Sequence, residues 1–163
     1  MQIVQNLSMA VSTFVSQNLG AGKQERIRQG GRVTMMMACA STVVLDALLI
    51  LTHKPVIALF NTDPEVIYYG SMMFYTVLPF QTLTTISQID SGVLRGYGNS
   101  TAPMVITLTT HIGLRLVYLY AAWSVVRSLP VVVSCYPFGW ACATIITRIY
   151  KNRWMKKHAG QPA

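Results

Sequence analysis

Three ionisable side chains lie deep inside long apolar runs. Asp46 sits in VTMMMACASTVVLDALLIL, and His111 and Arg115 share a later run at i, i+4 spacing. A charge near the centre of a hydrocarbon layer costs about 2.5–3.5 kcal/mol on insertion scales, so each should face a bundle interior. Asp46 and Arg115 fall at similar depths and are read as a candidate ion pair. The plainer readings are a helix-packing anchor for Arg115 and a buried neutral imidazole for His111. A polar stripe, Gln81, Thr84 and Gln88 with Thr85 beside it, recurs at helical spacing away from Phe80, Leu83 and Ile86. Such a stripe either walls a hydrated cavity or supplies helix–helix hydrogen bonds, and both readings stand. His111 has no nucleophile or carboxylate at catalytic spacing, so no catalytic residues and no enzyme are expected. No Cys/His ligand spacing occurs, so neither a metal site nor a bound cofactor is expected. Cys39, Cys135 and Cys142 read as small buried apolar residues. Gly20-Ala21-Gly22-Lys23 looks like part of a phosphate loop, but Gln17 stands where its first glycine belongs and Gln24 where it needs Ser or Thr. A tight turn fits those glycines better.

The elements that hold these residues are five apolar stretches filling most of the 163 residues. A hydrocarbon core is roughly 30 Å thick and takes about 20 helical residues to cross. No backbone polar group can be left bare there. The expectation is an all-α integral membrane protein with about five transmembrane helices, roughly 2–19, 33–52, 66–89, 102–126 and 129–149. Residues 1–150 form the membrane unit and 151–163 a basic tail. The joints are Gly20–Arg32, His53–Glu65, Asp90–Thr101 and Arg127–Pro130. Asp63-Pro64 reads as a helix start, and Pro79 should kink the third stretch. Gly92, Gly96 and Gly98 mark the third joint, with Gly98-Asn99 as its turn pair. Asp90, at the edge of that joint, reads as an N-cap or a loop-solvating group.

Composition agrees with a membrane bundle. Apolar residues make up 52% and charged residues 11%, with a mean hydropathy of +0.42. The net charge of +8 comes largely from two clusters beside apolar runs, Lys23–Arg32 and Arg148–Lys157. Such clusters set orientation and contact anionic lipid. A nucleic-acid partner would need a polar folded unit to carry the charge, and none is present. With five spans both clusters fall on one side, read as the cytoplasm, so the C-terminus is cytoplasmic and the chain starts outside. No signal peptide is visible, and the outside start leads to the expectation that a segment in front of Met1 is missing.

Two segments are specific enough to suggest a family. Ser12–Arg32, STFVSQNLGAGKQERIRQGGR, and Ser91–Met104, SGVLRGYGNSTAPM, resemble sequences of the multidrug and toxic compound extrusion (MATE) transporters. Leu59–Val66, the Arg115-x-x-Tyr118 run and Leu129–Trp140 are similar to further parts of that family. The resemblance implies helices eight to twelve of a twelve-helix, two-lobed protein, that is, about five helices of the C-terminal six-helix lobe. Matched onto that plan, helix seven and the N-terminal lobe are expected to be missing. It implies part of a multidrug antiporter of the inner or plasma membrane. Cationic, amphipathic drugs would leave by alternating access in exchange for H⁺ or Na⁺, and the part would be inactive alone. The implied partners are the lipid bilayer, the drugs and the missing lobe. Gln81, Thr84, Gln88, His111, Arg115 and Asp46 are the candidate cavity-lining residues. The family-motif residues Gln17, Asn18, Gly20, Gly22, Arg26, Leu94, Arg95, Gly96, Gly98 and Pro103 are expected to be structural. One branch of the family carries a coupling acid ten positions before the Leu of Leu-Arg-Gly; here that position is Thr84. Alternatives are a lipid-linked precursor flippase, which would want a strongly cationic cavity, and a non-functional truncated product.

Overall fold

A computed structural model describes residues 2–125 and 129–158. These residues form helices α1 (Gln2–Gly20), α2 (Gln24–Ala58), α3 (Pro64–Val77), α4 (Gln81–Gly96), α5 (Thr101–Leu108), α6 (Leu114–Val125) and α7 (Leu129–His158). A 3₁₀ turn, Leu78–Phe80, joins α3 to α4, and a π turn, Thr109–Gly113, joins α5 to α6. There is no strand among the described residues. The expected joint at 126–128 and the end of the tail, 159–163, lie outside the described residues.

α4 is the centre of the bundle. It packs on α1, α2 and α7, while α6 and the π turn pack on α7. α1 offers α4 the stripe Val4, Ser8, Val11 and Val15, all buried at alternating four- and three-residue spacing. The chain is apolar outside and mixed inside. Among the described residues, ten polar or charged residues are buried beside twelve apolar ones. The exposed surface carries Met36, Val43, Val44, Leu48 and Leu51 on α2 and Leu116, Val117 and Tyr120 on α6. A water-soluble bundle has the reverse arrangement, since contiguous exposed apolar faces of this size mark contact with lipid or a partner. Three segments, Gln24–Ala58, Thr101–Ala121 and Val132–Lys157, are long and apolar enough on their own to cross a membrane. α1 is shorter and dotted with polar groups, and α3–α4 is interrupted at Pro79, where the missing N–H and fixed φ favour the tighter turn.

Helix ends follow local chemistry. Asp63 accepts the Glu65 backbone N–H at 2.9 Å, and Pro64 occupies the first helical position of α3. α1 and α4 end in the same way. Gly22 has φ +68 and Gly98 φ +81. The N–H of Lys23 reaches Asn18 O at 2.9 Å and that of Gly22 reaches Leu19 O at 3.0 Å. The N–H of Asn99 reaches Leu94 O at 3.0 Å and that of Gly98 reaches Arg95 O at 2.9 Å. Both are Schellman stops, which hold a left-handed residue and satisfy the last carbonyls. Gly22→Ala and Gly98→Ala should each cost about 1–2 kcal/mol, because an L side chain is strained there. Thermal melts in detergent check this; unchanged melting of both would contradict it.

Three expected joints are shorter in the structure. The first shrinks to Ala21–Lys23, because Gln24–Arg32 is the first two turns of α2 rather than loop. Its Gln, Glu and Arg residues are good helix formers, and they project beyond the apolar span. At about 1.5 Å per residue, the 35 residues of α2 run to about 52 Å, well past a hydrocarbon core. The second, His53–Glu65, shrinks to Leu59–Asp63, because α2 runs on through His53 and Pro55 to Ala58. The third joint also shrinks, because α4 continues through Asp90 and Gly92 to Gly96.

Candidate substrate cavity and the ion cluster beside it

One face of α4 looks across a cleft of about 370 Å³ at α5 and the π turn. Thr84, Ser87, Gln88, Ser91 and Arg95 line one wall; Ser100, Pro103, Thr107 and His111 line the other with Met104 and Leu108. The spacing on α4 is helical, so one helix supplies a continuous polar wall. Thr84 is 8% exposed, and its hydroxyl has no protein partner. A buried hydroxyl facing a polar cleft is suited to hold water or a polar ligand. His111 sits within the π turn, where the backbone bonds i→i+5 and the Leu114 N–H reaches Thr109 O. Such turns recur at functional sites. The neighbouring Thr110 hydroxyl donates to Ile106 O at 2.7 Å. It can therefore only accept from His111 Nδ1, 3.2 Å away. In a neutral imidazole that arrangement puts the proton on Nδ1 and makes Nε2 the acceptor.

The candidate cavity residues divide. Thr84, Gln88 and His111 share this cleft. Gln81 and Asp46 line a separate one of about 190 Å³, with Thr42 of α2 and Ile3 and Val4 of α1. The stripe splits because α4 changes neighbours along its length. Thr85, next to it, makes a buried 2.9 Å hydrogen bond with Thr42. Arg115 lines neither cleft. Its Nη2 donates to Tyr136 Oη at 2.7 Å, and the guanidinium lies 4.2 Å from the Tyr136 ring centroid. Tyr118, one turn on, bonds Ser134 through its hydroxyl at 2.8 Å. Together these two residues fasten α6 to α7. The expected Asp46–Arg115 pair does not form. α2 packs on α1, α3 and α4, whereas α6 packs on α7 and the π turn.

Most of the family-motif residues are buried or hydrogen-bonded. Leu94 and Gly96 are buried, and Pro103 is buried in the first turns of α5. Arg95 Nη2 donates to Ser8 Oγ at 2.8 Å, and Ser8 Oγ donates to Gln88 O at 2.6 Å. Asn18 Nδ2 caps Phe14 O at 2.8 Å, and the Gln17 carbonyl accepts the Ala21 N–H at 3.2 Å. Gly20 stands in open space, and Arg26 is exposed. Tyr97 Oη donates to Gln24 Oε1 at 3.0 Å, tying the end of α4 to the start of α2. Burial pushes the Tyr97 phenol above its ordinary value, with Arg28 pulling the other way.

Asp90 differs most from its expected role. It is neither a cap nor a loop group. It sits inside α4 with a side chain 1% exposed, 2.6 Å from Lys151 Nζ and 2.8 Å from Arg148 Nε. The sequence carried a signal for this, Arg148 and Lys151 at i, i+3 on one helix face. A second missed signal is Gly92-x-x-x-Gly96, the small-residue spacing that lets two membrane helices approach closely. A third is His53, read as loop. It is buried, with Nδ1 2.6 Å from Ile50 O and its ring edge-on to Tyr75 at 5.0 Å.

A helical bundle with a lipid-type exterior, a polar interior seam and a polar cleft defines a multi-pass membrane protein. The family model MatE matches residues 1–121, and the chain belongs to that family. It is similar to the "Probable multidrug resistance protein NorM" of Chromobacterium violaceum, 30% identical over 127 residues, which is 76% of this chain and 27% of that protein. The "Multidrug resistance protein PmpM" of Pseudomonas aeruginosa is 31% identical over 111 residues, 68% of this chain and 23% of that protein. The "Multidrug resistance protein MdtK" of Pectobacterium atrosepticum is 28% identical over 144 residues, 86% of this chain and 30% of that protein. The chain therefore spans about a quarter of the length of these curated relatives.

Proposed function

We propose that this chain supplies the C-terminal-lobe portion of a cation-coupled multidrug antiporter in the inner or plasma membrane, with its C-terminus in the cytoplasm. Five spans would form its wall of a central cavity. A second lobe would rock against it, exposing the cavity to each side in turn. The observation that carries this reading is the polar cleft on α4 with the unpartnered Thr84 hydroxyl inside it. A cationic amphipathic compound would lie along the Met104–Leu108 wall, its polar groups on Thr84 and Gln88. Arg115 lines neither cleft and Arg95 is the one lysine or arginine in the lining of the polar cleft, which is not the strongly cationic cavity that a lipid-precursor flippase would want.

Coupling is assigned to H⁺ through Nε2 of His111. The cleft lining contains His111 but no carboxylate. The charged groups around it are Arg95 of α4, on the facing wall, and Arg115, four residues on and held by Tyr136 of α7. Proton binding at His111 and drug binding in the same cleft would compete, and that competition drives exchange only by differential affinity between the two states.

These 163 residues alone are expected to export nothing. A chimera placing them in the matching part of the Chromobacterium violaceum relative should export ethidium. His111→Ala should then abolish ethidium efflux driven by an imposed proton gradient, and Thr84→Ala should weaken drug affinity. Efflux from cells making only this chain would overturn the reading of a partial lobe. Proton-driven efflux unchanged by His111→Ala, with a Na⁺ dependence lost in Asp46→Asn, would overturn the proton assignment.

A further inference from the structure

At the end of the bundle where α2 begins and α7 finishes, a cleft of about 490 Å³ opens between α2, α4 and α7. We infer that it seats the headgroup of one acidic phospholipid. Arg28 and Arg32, at i, i+4 on α2, form one side; Arg148 and Lys151 of α7 form the other. Glu25 and Asp90 are the carboxylates in the lining, so four positive and two negative charges leave it at +2. Asp90 engages both α7 cations from beneath, which fixes them in place. Arg148 remains 42% exposed while so held. Among the described residues Arg28 and Arg32 make no ion pair.

Depth and floor both point to a lipid rather than a free anion. α2 overruns the hydrocarbon core by several turns, and Arg28 and Arg32 stand on its overhanging part, at headgroup level. The floor is apolar, made by Met35, Val93 and Met155. Met36, at its edge, is 66% exposed and continuous with the outward apolar face of α2. A headgroup phosphate can meet the arginines while its acyl chains lie down that face. Basic clefts between helices at this level are suited to anionic headgroups. Arginine at i, i+4 presents paired N–H donors to phosphate oxygens.

The test is native mass spectrometry of the detergent-purified chain with equimolar phosphatidylglycerol and phosphatidylcholine. The wild type should retain one phosphatidylglycerol in preference to phosphatidylcholine. At about fivefold per basic residue, Arg28→Gln with Arg32→Gln should weaken retention about 25-fold. Both residues are exposed, so helical circular dichroism should not change. Gln29→Glu, which adds a carboxylate at the cleft, should weaken it as well. Lys156→Gln with Lys157→Gln removes the same charge outside the cleft and should leave retention intact. Equal retention of the two lipids, or equal losses from the cleft and tail variants, would overturn the proposal. Displacement of the lipid by millimolar inorganic phosphate would overturn the commitment to a lipid.

Discussion

Gly96→Leu, and Gly92→Leu with it, is expected to force α1 away from α4 and lower the thermal midpoint in detergent by about 6–12 °C. A Cβ at Gly96 would lie 2.5 Å from Val15 Cβ and 2.7 Å from Ser12 O; one at Gly92 would lie 2.5 Å from Ser8 O. These obstacles are backbone and β-carbon atoms, which cannot rotate aside. The whole of α1 must move, and with it go the Ser8–Gln88 and Arg95–Ser8 hydrogen bonds. Overpacking a tight contact costs about 1–3 kcal/mol; a leucine against backbone belongs at the upper end. A cost of 3 kcal/mol in a chain of this size corresponds to the stated shift, at about 2–4 °C per kcal/mol. Gly20→Leu is the control, because nothing lies within 4 Å of a Cβ there. Equal melting of Gly96→Leu and Gly20→Leu would show that the close approach has no energetic weight. The cleft should suffer too, since Ser91 and Arg95, which line it, flank these glycines.

The same two glycines show where sequence reading stopped. Glycine inside a helical pattern is ordinarily a breaker, so Asp90–Thr101 reads as a joint. In the fold, Gly98 does break the helix, with its positive φ, while Gly92 and Gly96 remain helical and meet α1. Local propensity cannot separate these roles; only the neighbour across the interface does. Gln24–Arg32 gave the same error for another reason. A charged stretch with Gly30 and Gly31 looks like loop, yet it is the start of the helix that continues into the apolar span. The long apolar runs, the Asp63-Pro64 start and the Gly98-Asn99 turn were legible because each depends on local chemistry. The Arg115–Tyr136 and Asp90–Lys151 partnerships were not. They join residues 21 and 61 positions apart, and similar depth in two runs does not make two helices neighbours. His111 was legible as a deep ionisable group. Its acceptor nitrogen depends on a Thr110 hydroxyl already committed elsewhere.

Removing both α7 cations, by Arg148→Ala with Lys151→Ala, is expected to destabilise the chain more than Asp90→Asn, although each change abolishes the same ion cluster. The asymmetry follows from burial. The Asp90 side chain is 1% exposed, so without its partners it is a stranded buried charge, a situation that costs about 3–5 kcal/mol. Arg148 and Lys151 are 42% and 13% exposed, respectively. Freed of Asp90, their long stems can carry the charged ends to water. An asparagine at position 90 can still accept from Lys151, so its cost should be about 1–2 kcal/mol. Of the two cations, Lys151 should matter more alone, because solvent screens the half-exposed Arg148 contact. The measurements are thermal melts and tryptic cleavage at Lys156–Lys157, which should quicken as the end of α7 loosens. A triple change, Asp90→Leu with Arg148→Gln and Lys151→Met, should recover most of the stability, since a buried ion cluster is replaceable by apolar packing. It should not recover acidic-lipid retention, because the cleft then keeps only its α2 cations. If Asp90→Asn proved the costlier change, the carboxylate would be supporting the fold through something other than these two partners. If the triple variant still retained the lipid, the α7 cations would have no part in holding it.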